Sequence, residues 1–265
     1  MEFHHPKRIG DAVGLLRRQS SVAVAGATSF VRPSRAAHLV DITGLGLDYI
    51  RADKKSVRIG ATTTIAELEK SEVVNGLASG ILRSACSGVA DTPLRNMITV
   101  GGDVACKFPW ANLPPALLAL GAELSIVGRK KREVSMDKFM GSRLGRGEIL
   151  KEVVIPRNLK GKGSYIKFAR TKTDYSMITV AVYLERDEWM VTLARVAVGG
   201  IYRPRRLKLL EKGLVGKPPD EAAVNDAIKI HVPNLAIPKN IFTSEDYSRE
   251  VLGVLLRRAL MEALR

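Results

Sequence analysis

The chain has 265 residues and a formal net charge of +15, with 46% hydrophobic and 26% charged residues. That length suffices for a large core and suggests about two domains, and the composition is that of an ordinary globular protein without low-complexity tracts. No apolar run approaches the roughly 20 residues of a membrane helix, and two cysteines, Cys86 and Cys106, cannot build an all-cysteine [2Fe–2S] centre.

In chain order, Ala12, Val13, Leu15 and Leu16 repeat at helical spacing and predict a short amphipathic helix over Asp11–Arg18. Arg17-Arg18-Gln19-Ser20-Ser21 resembles a twin-arginine signal, but the apolar run that follows is too short for one, so the expected compartment is the cytoplasm. Val22-Ala23-Val24 reads as a strand that breaks into a small-residue turn, and His38–Ile42 as a buried strand. His4, His5, His38 and His231 have no neighbours at metal-ligand spacing in sequence, so no metal site is expected. Val57–Gly60 is a further strand, and Thr64 with Glu67 three places on predicts a capping box.

Leu77–Ala90 reads as a helix containing Cys86, and both cysteines are expected to be buried, inert thiols. Pro114-Pro115 starts and Gly121 ends the helix after it. Leu124–Val127 and Glu148–Ile155 are predicted strands, joined by the basic turn Gly128–Arg132. Lys160-Gly161-Lys162-Gly163 marks a composition shift and a boundary, giving domains 1–160 (parts about 1–53 and 54–160) and 161–265. Beyond it come strands Ile178–Leu184 and Met190–Val198, and helices over Leu207–Lys212, Ala222–Lys229 and Glu250–Leu264. Lysine and arginine are spread widely, a pattern open to a solvated surface, an acidic partner, an anionic ligand or nucleic acid; no aromatic-interleaved basic motif favours the last.

Two turns carry the functional signal. Ala25-Gly26-Ala27-Thr28-Ser29-Phe30 follows a strand and offers hydroxyls and small residues, and Thr99-Val100-Gly101-Gly102-Asp103 offers two glycines free to adopt φ > 0 and expose N–H groups. Together with Ile59-Gly60-Ala61-Thr62-Thr63-Thr64, Gly147-Glu148-Ile149-Leu150, Asp174-Tyr175 and Val198-Gly199-Gly200, in this order and spacing, these segments resemble the FAD-binding medium subunit of molybdenum hydroxylases, the family of the xanthine dehydrogenase FAD domain and the aerobic carbon monoxide dehydrogenase flavoprotein.

The resemblance implies an α+β fold: a two-part PCMH-type FAD-binding domain, then a smaller domain of antiparallel strands and helices. It implies noncovalent FAD held by Ala23, Val24, Ala25, Gly26, Ala27, Thr28, Ser29 and Phe30, by Thr99, Val100, Gly101, Gly102 and Asp103, and by Val89, Asn112, Leu150 and Lys167, with no catalytic or metal-ligating residue of its own. Molybdenum cofactor and [2Fe–2S] clusters would reside only on partner subunits, a large and a small one, with electrons passing from clusters through FAD to an acceptor. At four places the chain departs from the family pattern: Ala27 for a second glycine, which requires φ < 0, Asp103 for asparagine, Asn112 for aspartate, and Lys107-Phe108-Pro109-Trp110 for a smaller, more polar segment. Asp103 and Asn112 favour the alternative, an FAD-free assembly or interaction subunit whose basic surface contacts nucleic acid.

Overall fold

The computed structural model describes residues 1–29, 36–238 and 243–265. The chain opens with a small parallel sheet of β1 (Glu2–His4), β2 (Ser21–Val24) and β3 (His38–Asp41) in the order β1-β3-β2, with helix α1 (Ile9–Leu16) as the crossover. Ala12, Val13 and Leu16 of α1 bury against Val40, Ile42, Leu47 and Ile149, so this part is fastened to the next sheet by an apolar contact.

The second sheet is antiparallel, with β4 (Ile50–Ala52), β5 (Ser56–Gly60), β6 (Glu123–Val127), β7 (Lys131–Ser135) and β8 (Ile149–Pro156) in the order β4-β5-β8-β6-β7. Between β5 and β6 the chain runs through α2 (Ile65–Lys70), α3 (Glu72–Asn75), α4 (Ile81–Ser87), α5 (Thr92–Arg95), α6 (Val100–Cys106) and α7 (Leu113–Leu120), and α8 (Met136–Met140) lies between β7 and β8. The capping box at α2 is complete: Thr64 Oγ1 accepts from the Glu67 N–H, and the Glu67 carboxylate accepts from the Thr64 N–H at 2.8 Å. α7 is buried along its whole length, carries prolines in its first turn and ends on Gly121 at φ +68.

The third sheet, β12-β11-β10-β9, comprises β9 (Lys162–Phe168), β10 (Ile178–Arg186), β11 (Val191–Gly199) and β12 (Arg205–Arg206). Alternation along β10 decides its packing. Ile178, Val180, Val182 and Leu184 face the core formed with α9 (Lys208–Leu214), α10 (Glu221–His231) and α11 (Glu245–Leu264), whereas Ala181 and Tyr183 face α4 and α7. The third sheet therefore rests directly on the helices that follow β5, and the apolar face of α11 (Leu252, Leu255, Leu256, Ala259, Leu260) covers its far side.

Three features differ from the sequence expectation. The basic turn after β6 leads into β7, a polar edge strand lacking the apolar alternation that marks a half-buried one, and not into β8. The second half of the Gly-Lys segment, Lys162-Gly163, begins β9, since cross-strand pairing outweighs its weak intrinsic preference; just before it, a Cβ on Gly161 would lie 1.8 Å from the Leu184 carbonyl oxygen. The pairing of β1 with β3 also brings Glu2, His4 and His38 together, a juxtaposition that sequence spacing conceals.

Candidate functional site

At the end of β2 the backbone bends through residues 25–29 and passes against the segment that enters α6. The approach is close enough that a Cβ on Gly26 would sit 1.6 Å from the Met97 carbonyl oxygen, so only glycine fits. Ala27 adopts φ +56, the left-handed region that disfavours an L side chain, contrary to the requirement of φ < 0. Among the described residues none accepts a hydrogen bond from the N–H groups of Gly26, Ala27, Thr28 or Ser29. Ala27, Thr28 and Ser29 are exposed, and Ser29 Oγ lies 3.5 Å from Cys106 Sγ across the gap.

The second segment works differently from the expectation. Gly101 and Gly102 are not at positive φ; they occupy the first turn of α6, capped by Thr99, whose Oγ1 accepts from the Gly102 N–H at 3.1 Å. The Val100 and Gly101 N–H groups donate to Thr63 O and Ala61 O, both at 2.8 Å, so these amides are internally satisfied. Glycine at 101 answers a steric need: a Cβ there would lie 2.7 Å from the Ala61 side chain and carbonyl. Helix geometry turns these N–H groups into the fold, where a loop would have displayed them.

Between the two segments lies a cavity of about 390 Å³, within the range of small-molecule sites. Of the residues expected at the cofactor, Ala23, Val24, Ala25, Gly26, Ala27, Thr28, Ser29, Val89, Thr99, Gly101, Gly102, Asp103, Asn112 and Leu150 line it. Val100 does not, because its side chain is fully buried in the core, and Phe30 lies outside the described residues. Lys167 lines a separate cleft beside Ser84, Ser87 and Gly88, and its ammonium donates to Gly88 O and Asp174 O, both at 2.6 Å, and to Lys172 O at 3.0 Å. It ties the 169–175 segment to the end of α4, and burial lowers its pKa.

Further lining residues were not singled out as cofactor contacts: Ala61, Glu148 and Ile149, which lie in segments that carry the resemblance, and Leu94, Ile98 and Thr173, which have no signal of their own. Three aromatic rings stand along the cavity, with Phe108 stacked on Trp110 at 4.8 Å between centroids and Tyr175 tilted against Trp110 at 5.1 Å. Trp110 and Tyr175 are 39% and 75% exposed, apolar surface placed where a flat ligand would cover it. Cys106 is an exposed thiol on the cavity wall, unlike the buried Cys86, since α6 turns it away from the core.

Among the carboxylates that line the cavity, Asp103 is shifted furthest. Its carboxyl accepts from the Leu113 N–H at 3.2 Å, capping α7 from outside that helix, and desolvation pushes its pKa up to about 6. Asn112 is held on all sides: its Oδ1 accepts from Tyr165 Oη at 3.0 Å and Ser176 Oγ at 2.6 Å, and its Nδ2 donates to Gly88 O at 3.5 Å. An aspartate there would gain the same two hydroxyl donors and lose the third bond. Lys107 follows α6 at φ +52 and buries its ammonium against Phe139 O and Ser142 O, so this first residue of the departing segment anchors α8.

A cavity flanked by a bend whose amides have no acceptor among the described residues, by hydroxyls and by exposed aromatic faces has the donor set and shape for a phosphate-bearing, flat cofactor. The class so defined is a nucleotide-cofactor protein built on an α+β fold. Residues 1–158 match the family described as the FAD binding domain in molybdopterin dehydrogenase, and residues 163–263 the CO dehydrogenase flavoprotein C-terminal domain; the chain belongs to this family of FAD-binding oxidoreductase subunits. It is 30% identical to the carbon monoxide dehydrogenase medium chain of Hydrogenophaga pseudoflava over 282 residues, covering 99% of this chain and 96% of that one. It is 31% identical to the 6-hydroxypseudooxynicotine dehydrogenase complex subunit alpha of Paenarthrobacter nicotinovorans, covering 91% and 86%. The solved carbon monoxide dehydrogenase of Hydrogenophaga pseudoflava, a form lacking the Mo-pyranopterin moiety, superposes with a TM-score of 0.90 at 28% identity, covering 99% and 96%. No helix among the described residues is long and apolar enough to cross a membrane.

Proposed function

We propose that this chain carries FAD in the cavity between residues 23–29 and the start of α6, as the medium subunit of a heteromeric molybdenum hydroxylase or dehydrogenase. The observation that carries the reading is the backbone contact of Gly26 with Met97, which sets the amide-bearing bend on the rim of an aromatic-walled cavity. In this reading the N–H groups of Gly26 to Ser29 and the hydroxyls of Thr28 and Ser29 bind the pyrophosphate. Val89, Leu150 and the Phe108–Trp110–Tyr175 rings exclude water from the ring system, and Lys167 holds the Tyr175 segment in place. When bound, FAD supplies the electron exchange that links a substrate-oxidising centre to an acceptor.

The division at residue 160 belongs to the same proposal: residues 1–160 form the cofactor domain, and residues 161–265 brace it through the third sheet. Neither cysteine pair nor histidine set here suits an iron–sulfur or molybdenum centre, so the remaining cofactors sit on large and small partner subunits in the cytoplasm. The charge of +15 supplies a docking surface for more acidic subunits. A second reading, an FAD-free assembly subunit, draws support from one observation: the amides of residues 100–102 are already occupied. Purification from the native host decides between them. The first reading expects flavin, molybdenum and iron to co-elute with the chain and two further polypeptides, separable by salt; a chain that elutes with its partners but without flavin establishes the second.

A further inference from the structure

The parallel pairing of β1 and β3 sets Glu2 opposite His38, and His4, two residues on, shares the face of Glu2. Their side chains converge on one point: His4 Nε2 is 3.1 Å from His38 Nδ1, His38 Nδ1 is 3.0 Å from Glu2 Oε2, and His4 Nε2 is 3.4 Å from the same oxygen. Each atom is a metal-ligating type, an imidazole nitrogen or a carboxylate oxygen, and all three face one another rather than solvent or separate partners. A cation at the centre satisfies all three atoms at once.

We infer that Glu2, His4 and His38 form a binding site for a divalent transition-metal ion of the Zn²⁺ type. Tetrahedral Zn²⁺ bonded at about 2.0–2.1 Å holds its ligand atoms about 3.3–3.4 Å apart, and the three observed separations of 3.0, 3.1 and 3.4 Å need only small side-chain adjustments to reach it. Two imidazoles with one carboxylate suit Zn²⁺, Co²⁺, Ni²⁺ or Cu²⁺ and not the all-oxygen preference of Mg²⁺ or Ca²⁺. The histidine side chains are 20% and 21% exposed and that of Glu2 is 65%, so two ligands are packed in place, the third closes from solvent, and a fourth position is left to water. The ion staples edge strand β1 to β3, the strand that also pairs with β2 and its bend at Gly26. The inference is independent of the flavin reading.

The test uses the full chain without a histidine-containing tag, stripped with chelator and titrated with Zn²⁺ alone, and in parallel with Co²⁺ followed by its visible d–d absorption. Expected are one ion per chain, a four-coordinate Co²⁺ spectrum with histidine ligation and a rise in thermal midpoint. His4→Phe, His38→Asn and Glu2→Gln should each weaken binding by more than the about 10- to 100-fold that loss of an outer-shell partner costs, while His5→Ala and His231→Ala leave it unchanged. Circular dichroism verifies folding, and Glu2→Gln, at the exposed ligand, serves if a histidine variant fails to fold. Absence of stoichiometric uptake by the wild-type chain, or uptake that survives Glu2→Gln and His4→Phe, overturns the inference.

Discussion

Gly26 and Met97 meet backbone to backbone, with the space for a Cβ on Gly26 already taken by the Met97 carbonyl at 1.6 Å. This contact joins the first sheet to the entry of α6, and the cavity lies beside it. Gly26→Ala must force the bend open, with an overpacking cost of about 1–3 kcal/mol. The expected outcome is a lower urea midpoint together with loss of retained flavin. Gly10→Ala is the control, since a Cβ there meets nothing within 4 Å and φ is not positive; it should leave flavin retention unchanged and, as a helical glycine in α1, raise the urea midpoint rather than lower it.

Ala27 at φ +56 is strained where a glycine would not be. Ala27→Gly relieves about 1–2 kcal/mol of left-handed cost, partly offset by the entropy of an added glycine. The net prediction is a stabilisation of about 0.5–1 kcal/mol in equilibrium denaturation, with flavin binding retained. A loss of stability would show that the alanine methyl makes a packing contact worth more than the strain.

Burial raises the Asp103 pKa from 3.8 to about 6. Between those values the folded chain keeps a proton that the unfolded chain has released, so stability is greatest below the lower value and declines as pH rises to the upper one. The shift corresponds to at most about 3 kcal/mol. Asp103→Asn keeps an oxygen acceptor for Leu113 N–H and should remove that decline, so that wild type and variant differ most at about pH 7 and least at about pH 4 by urea unfolding.

Lys167 donates to three carbonyl oxygens, and Lys167→Met removes the donor from Lys172 O and Asp174 O and leaves Gly88 O only the longer bond from Asn112, at a cost of about 1–3 kcal/mol. Proteolysis within 169–175 should accelerate, while Lys172→Ala, whose side chain is exposed, leaves the digestion rate unchanged. Equal digestion of wild type and Lys167→Met would contradict the pinning role.

Local signals in the sequence reported the local structure well. The Thr64–Glu67 capping box, the proline start and glycine end of α7, and the apolar repeat of α11 are each decided by contacts a few residues apart, and each is present. What escaped depends on distant partners. β7 and β9 are strands because β6 and β10 pair with them. Gly101 is required by Ala61, forty residues earlier, so its double-glycine neighbourhood looked like an exposed turn and is a packed helix start. Glu2 joins His4 and His38 only through strand register. Lys167 lies in the neighbouring cleft, and the three carbonyls that accept from its ammonium come from segments the sequence does not show to be adjacent.

The most direct measurement of the central claim is FAD uptake by the purified chain. FAD is added in excess, free ligand is removed by desalting, and the visible flavin spectrum is recorded for wild type, Gly26→Ala and Trp110→Ala. One flavin per wild-type chain is predicted, with none retained by Gly26→Ala and a visible shift in band position or weaker retention for Trp110→Ala. A wild-type chain that emerges colourless, or a Gly26→Ala chain that keeps a full flavin complement, would contradict it.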